Sequence, residues 1–422
     1  MSGQKDWNWE AGKKEVANLA LLKDQFFAVH EFAVSPDGEK IAVPVQKAEE
    51  TCNVWVNDKL WEEEMERAWN LRFTRDGRLI ALVRVDDAWT VAIDGKRWEN
   101  EYDFVWDLKL SLDEKVIAVL AKRGMEYIVL ANDKAWENGF ISMRDYVLSD
   151  DGRKIAATVQ VEKLAEGDIF KFAEGTWSVA QDGIAWDQKF INVYSPRFTP
   201  DGSHLAAQVR TDICEYTVAQ DGEPWKNKFA STWEPLYRSN DKGPLVPVRI
   251  GGAWTLAENG SPIWAGRYVQ LWHQKVSPDK QHIAAVVATG FGRWTIAVDD
   301  TPWAVTFEDL VLPPVFSPDG KRLATIGKNG EEWFVVVDGQ QWSLPFDMAW
   351  NPVFSPDGKT VAAKVEREGC LAYALNGRLW SPKFEMLWDP IFSPDGKQLL
   401  IRGVENGKYY RQVVPLDKIK NG

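Results

Sequence analysis

With 422 residues, 45% of them hydrophobic, the chain can bury one large core or two, and length alone admits two or three domains. A formal charge of -12 argues against nucleic acid or an anionic membrane surface as a partner, since both are bound through a basic stripe. Three scattered cysteines, Cys52, Cys214 and Cys370, argue against a disulfide framework or a cysteine-held metal cluster and suit a reducing compartment.

Residues 1–20 are expected to form a tail outside the rest of the chain, with Trp7 and Trp9 set in a polar run. Two aromatics in such a setting suit an anchor in a partner's groove, and folding back on the protein's own surface is the equal alternative. No apolar run approaches the roughly 20 residues of a spanning helix, and the charged start does not read as an export signal. A cytoplasmic protein without a direct membrane span is expected.

From residue 21 the chain repeats. The copy at 333–365 shows the unit: an alternating strand from Trp333 to Val337, an Asp338-Gly339 turn, and a strand carrying Trp342 and Phe346. A strand with Trp350, Pro352 and Phe354 follows, then the turn Ser355-Pro356-Asp357-Gly358, then a strand from Val361 to Val365. Ser/Thr-Pro-Asp-Gly turns or their relics begin at Ser35, Thr74, Ser111, Ser149, Thr199, Ser239, Ser277, Ser317, Ser355 and Ser393. The steps are 37 to 40 residues, apart from 50 between Ser149 and Thr199. Four short strands per period of about 40 predict an all-β chain, a β-propeller of about ten four-stranded blades over 21–422.

At the start of the repeat, Leu22, Phe26 and His30 occupy the positions of Trp342, Phe346 and Trp350, whereas the last unit stops after a strand from Tyr409 to Val414. A chain that opens with a unit's final strand and ends without one can pair its two ends and remove an exposed sheet edge. A single ring closed in this way is preferred; two smaller rings sharing the chain are the alternative. Two units depart from the pattern. The fourth inserts Val161 to Phe172 between its second and third strands, and the sixth carries Ser239-Asn240-Asp241-Lys242-Gly243-Pro244 in place of the turn.

Of 23 tryptophans, 21 fall at three repeat positions. Six are read as opening the third strand (Trp55, Trp89, Trp177, Trp254, Trp294, Trp333), nine follow the Asp-Gly turn (Trp342 and its equivalents), and six sit eight residues further on (Trp69, Trp106, Trp233, Trp272, Trp350, Trp388). Such regular placement reads as packing between neighbouring blades, each buried indole contributing on the order of 3 kcal/mol. The alternative, stacking on a sugar, defines a carbohydrate-binding propeller as the second functional reading.

His30, His204, His273 and His282 lack metal-ligand spacing, and His30, at an aromatic position, is expected in the core. No nucleophile elbow, phosphate loop, haem or iron–sulfur motif appears, so no catalytic residue, cofactor or metal is expected and the chain is read as a non-enzyme. An enzyme working in the central channel would need carboxylates or histidines there, where the repeat is read as placing Trp, Pro and Phe. Glu49-Glu50 and Glu62-Glu63-Glu64 read as a solvated face or as a meeting point for a basic partner. In a four-stranded antiparallel blade the Ser-Pro-Asp-Gly and Asp-Gly turns share one face of the disc. The opposite, variable face, which carries the insertion, is expected to be the interface, with Leu164, Ile169, Phe170 and Phe172 as its apolar contacts.

The Phe-Ser-Pro-Asp-Gly-Lys copies at 316–321, 354–359 and 392–397 resemble the repeats of TolB-like and WD-like propellers. Combined with Trp after nearly every Asp-Gly turn, the whole chain resembles the tryptophan-rich TmcD-type subunits of the Tmc transmembrane redox complex of sulfate-reducing bacteria. The resemblance implies a cytoplasmic scaffold or accessory subunit of a membrane-associated electron-transfer complex in sulfate respiration. Such a subunit has no redox centre of its own, lies peripheral to the inner membrane, and is held against an iron–sulfur protein and a membrane cytochrome.

Overall fold

The computed structural model describes residues 6–420. Its sheets are ten, each antiparallel and of four-strand order, arranged as a ten-bladed β-propeller. We number blades 1 to 10 by their Ser/Thr turns in chain order and call the strands of each A to D from the ring axis outward. Blade 8 is representative. Strand A is the broken pair Leu310–Val311 and Val315–Phe316, B is Leu323–Asn329, C is Glu332–Val337, and D starts at Gln340–Gln341 and ends where Phe346 pairs with Trp333. The A–B and C–D turns lie on one face of the disc; the B–C hairpins and D–A links lie on the other.

The sequence dictates this layering. B strands such as Leu79–Val85 and Ile117–Arg123 are runs of Ala, Val, Leu and Ile buried on both sides, because each blade is sandwiched between two others. D strands are short, and in eight of the ten blades they end in an aromatic residue that pairs with the start of strand C, as Phe140 does with Tyr127 and Phe229 with Tyr216. In six blades the Trp following the C–D turn packs on the glycine of the next blade's C–D turn. A Cβ at Gly339 (φ +75°) would stand 3.3 Å from Trp303, and the same approach recurs at Gly95 on Trp61 and Gly377 on Trp342. Here the expectation of indoles between blades is met.

The ends meet in a single ring, so the two-ring alternative falls. Blade 10 takes A from Met386–Leu387 and Ile391–Phe392, B from Gln398–Glu405, C from Lys408–Pro415, and D from Gly12–Asn18. The tail expected over 1–20 therefore contributes the closing strand. The position assigned to Leu22 and Phe26 is instead a short helix, Leu22–Gln25, with Leu22 buried. Gly12–Asn18 escaped notice because an outermost strand needs only its backbone ladder: of its seven residues only Ala17 is buried. A second correction concerns Trp55. It lies fifth in strand C of blade 1, Thr51–Val56, and the residue facing Met65 at the Trp89 position is Cys52.

The A–B turns share one internal bond. The hydroxyl of the first residue donates to the turn aspartate: Ser317 Oγ to Asp319 Oδ1 at 2.6 Å, and equally in Ser111–Asp113, Ser355–Asp357 and Ser393–Asp395. The Ser317 hydroxyl and the Lys321 amide hold the Asp319 carboxyl below its usual range, and Asp113, Asp357 and Asp395 are lowered in the same way. At Asp201 the Ser203 hydroxyl and amide, with the Thr199 hydroxyl, bring it to about 2. A carboxyl depressed by folding stabilises the fold above its unfolded value, near 4, and that stabilisation is lost as pH falls through the folded value. The urea midpoint is therefore expected to fall steeply between pH ~4 and ~2, and Ser317→Ala with Ser355→Ala to flatten that limb. An unchanged limb in the double variant would show that the turns are not its source.

Candidate functional site

Strand A carries the residues nearest the ring axis. Its register slips at a bulge in blades 2, 3, 4, 5 and 7, between Trp69 and Arg72, Trp106 and Lys109, Met143 and Tyr146, Tyr194 and Arg197, and Trp272 and Lys275. Trp350, Pro352 and Phe354 turn toward neighbouring strands, with Pro352 and Phe354 buried, while Asn351 between them is exposed. The same alternation in other blades puts polar residues on the axis. Arg72, Lys109, Asp145, Arg197, Glu234 and His273, from six successive blades, line one cavity of about 760 Å³. The expectation that Trp, Pro and Phe face the channel is thus reversed: strand alternation aims them between blades and aims the intervening charges inward.

These charges are only partly paired. Lys109 Nζ lies 3.1 Å from Asp107 and donates to the Tyr146 carbonyl at 2.6 Å. The Tyr146 hydroxyl donates to Asp107 O and Ala118 O, and burial and the Asp107 charge push its pKa up. His273 Nδ1 stands 3.8 Å from Glu234, beyond hydrogen-bond reach. Among the described residues no group of three or more His, Cys, Asp or Glu is placed to hold a metal ion. No described helix is long and apolar enough to cross a membrane.

On the B–C face of blade 4, the insertion ends in the helix Ile169–Glu174, which has no buried residue. Asp168 caps it by accepting from the Lys171 amide at 2.9 Å, and Glu162 ties its base to Lys171 at 3.1 Å and to Lys189. Gly175 closes it at φ +93°, where a Cβ would meet the Phe190 carbonyl carbon at 2.5 Å, so only glycine lets the chain re-enter the blade there. The anchored base holds the apolar side outward: Leu164 is 41% exposed, Ile169 69%, Phe170 79% and Phe172 36%. The structure shows all four exposed within the one insertion of blade 4.

It also adds neighbours. The B–C tips of blades 3 and 5 present Met125 and Ile213, both strongly exposed, and blade 7 presents Phe291. The corresponding tips of blades 1 and 2 are Glu49-Glu50 and Asp86-Asp87. The variable face is therefore apolar along the arc of blades 3 to 5 and acidic over blades 1 and 2. Single apolar residues in two-residue hairpin tips have no periodicity to reveal them; only the blade order places Met125 and Ile213 beside the insertion.

Trp7 and Trp9 lie elsewhere. Their rings stack at 6.2 Å, both half-buried, and the backbone between them is held by Arg411, whose guanidinium donates to the Asn8 carbonyl and to Asp37 O. They therefore fold back on the seam between blades 10 and 1, at the A–B turn face, and the structure does not bring them together with the insertion. His30, expected in the core, is exposed.

No family model matches the chain, and no curated protein matches it. Among solved structures, one titled "Crystal structure of the eukaryotic initiation factor" aligns over 92% of this chain and 90% of its own, at 12% identity and a TM-score of 0.43. Another, "Structure of Dos1 propeller", aligns over 96% and 94%, at 13% identity and a TM-score of 0.39. Neither bears on function.

Proposed function

We propose that the chain is a non-catalytic scaffold that docks a partner protein on the B–C face of blades 3 to 5. The single observation that carries the reading is the insertion of blade 4: a capped, salt-bridged base under Leu164, Ile169, Phe170 and Phe172, all exposed. Exposed apolar side chains gathered in one short insertion are what a partner interface requires. The resemblance to TmcD-type subunits suggests which partners: an iron–sulfur protein and a membrane cytochrome, with the propeller peripheral to the inner membrane. The scaffold would then fix their relative position and carry no electrons itself.

Ile169→Asp combined with Phe170→Asp tests the proposal. Both side chains are mostly solvent-exposed, so the melting temperature is expected to stay within about 2 °C of the parent. Co-purification of a partner with iron–sulfur absorbance from native membranes is expected to fall at least tenfold. Undiminished co-purification would sink the docking site, and co-purification of proteins without clusters or haem would sink the redox assignment. The carbohydrate reading draws on Trp69 and Trp233, exposed at 40% and 36%. Oligosaccharide binding abolished by Trp233→Ala would favour it.

A further inference from the structure

A cavity of about 910 Å³ lies in the seam between blades 1 and 2, walled by residues of strands A, B and C of blade 1 and of strands A and C of blade 2. Its origin can be read position by position. In the next seam the start of strand A, the start of strand C, and the first two alternate residues of the following strand A hold Trp69, Trp89, Phe104 and Trp106. These rings form a continuous row, with Trp89–Phe104 centroids 5.2 Å apart and Phe104–Trp106 5.7 Å. One blade earlier the same four positions hold His30, Cys52, Arg67 and Trp69, and all four line the cavity.

The C–D pair that closes each blade on this face makes the same point. It is Trp89 with Tyr102, Tyr127 with Phe140, Trp177 with Phe190, and so on through Leu371 with Phe384 and Tyr409 with Ala17. Blade 1 alone has no aromatic member, its pair being Cys52 and Met65. The remaining lining includes the rings of Phe32, Phe73 and Trp89 and the aliphatic Val34 and Leu71, with Glu31 and Arg72 among its charged members. The hairpin tips on either side carry Glu49, Glu50 and Asp86, and the exposed Glu31 belongs to the lining. None of these four carboxylates makes an ion pair with another described residue.

We propose that this cleft receives an aromatic side chain from a basic segment of a partner protein, so that an indole or phenol ring completes the interrupted row. Shape selects the ring, because every other blade places at least one aromatic side chain in the C–D pair that borders this space. Charge selects its flanks, because the acidic tips favour lysine or arginine on either side of it. The proposal deepens the docking reading and rests on it in taking the ring from a protein. It uses a different seam from the blade 4 insertion.

The probe is acetyl-Lys-Lys-Trp-Lys-Lys-amide, titrated calorimetrically at low salt into the full chain. Binding is expected, weakened at least tenfold when the peptide's Trp becomes Ala and again when its lysines become Glu. His30→Trp, at an exposed position that should not disturb folding, and Cys52→Trp, which restores the repeat's own residue, are each expected to abolish binding. Cys52→Trp should also raise the melting temperature by filling the seam. Ile169→Asp with Phe170→Asp should leave peptide binding unchanged, so failure of the insertion as a docking site and failure of the cleft are read separately. No binding, equal binding of the Ala peptide, or undiminished binding by His30→Trp overturns the proposal.

Discussion

Deletion of residues 1–18 is expected to cost more stability than any single substitution considered for this chain. Six residues of Gly12–Asn18 are in register with Lys408–Pro415, and they are the only fourth strand that blade 10 has. Losing a ladder of that length removes on the order of 5 kcal/mol and leaves the flat edge of an eight-residue strand open to another chain. The melting temperature should drop by about 5 °C, and size exclusion should show dimers or aggregates. The seam has a second fastening. Arg411, its side chain 5% exposed, spans from Asp37 O at 2.8 Å and Glu39 at 2.9 Å to Asn8 O, while Tyr409 reaches Gly38 O and Arg402 reaches Ser35 O. Arg411→Ala removes a nearly buried donor from those carbonyls and leaves the partly exposed Glu39 with its pair to Lys14, and should cost about 2 kcal/mol. Loss of the exposed Lys13–Glu405 pair should cost under about 1 kcal/mol. A monomeric deletion variant with the parent's melting temperature would show that closure lies elsewhere.

That seam also marks the boundary of what the sequence discloses. Ten periods of strand and turn were legible because Asp-Gly and Ser-Pro-Asp-Gly turns have fixed backbone demands and the buried B strands admit only small and branched apolar residues. Gly12–Asn18 was not, because its ladder is made by backbone groups that any polar sequence supplies. The insertion from Val161 to Phe172 announced itself as a departure from the period, and its exposed apolar side agrees with that reading. The inward charges did not announce themselves. Trp350, Pro352 and Phe354 dominate the pattern by size, and it takes the pleat to show that Arg72, Lys109 and Arg197 occupy the other side of the strand. His30 and Cys52 stand in one-residue gaps in a row of rings, visible only once the blades are set side by side.

Phe307→Ala is the second large effect expected, and its partner is a glycine in the next blade. Phe307, 2% exposed, ends strand D of blade 7 and lies flat against Gly327 in strand B of blade 8, where a Cβ would collide with the ring. Phe384 and Gly403 repeat the arrangement two blades later, with a Cβ 2.5 Å from the ring. Most other blades put Val or Ala at that point of strand B, so the glycine is matched to the depth to which this ring enters. Truncating Phe307 should cost about 4 kcal/mol, transfer and cavity together; Gly327→Ala, which overpacks the same space, about 2 kcal/mol. The double variant is expected to lose at least about 1 kcal/mol less than the sum, because the added methyl fills part of the hole left by the ring. Urea denaturation of the four proteins reads the coupling directly. Strict additivity would mean that adjoining blades are not interlocked through this pair, and that the stiffness of the disc on which any docked partner depends comes from the tryptophan-on-glycine contacts of the opposite face alone.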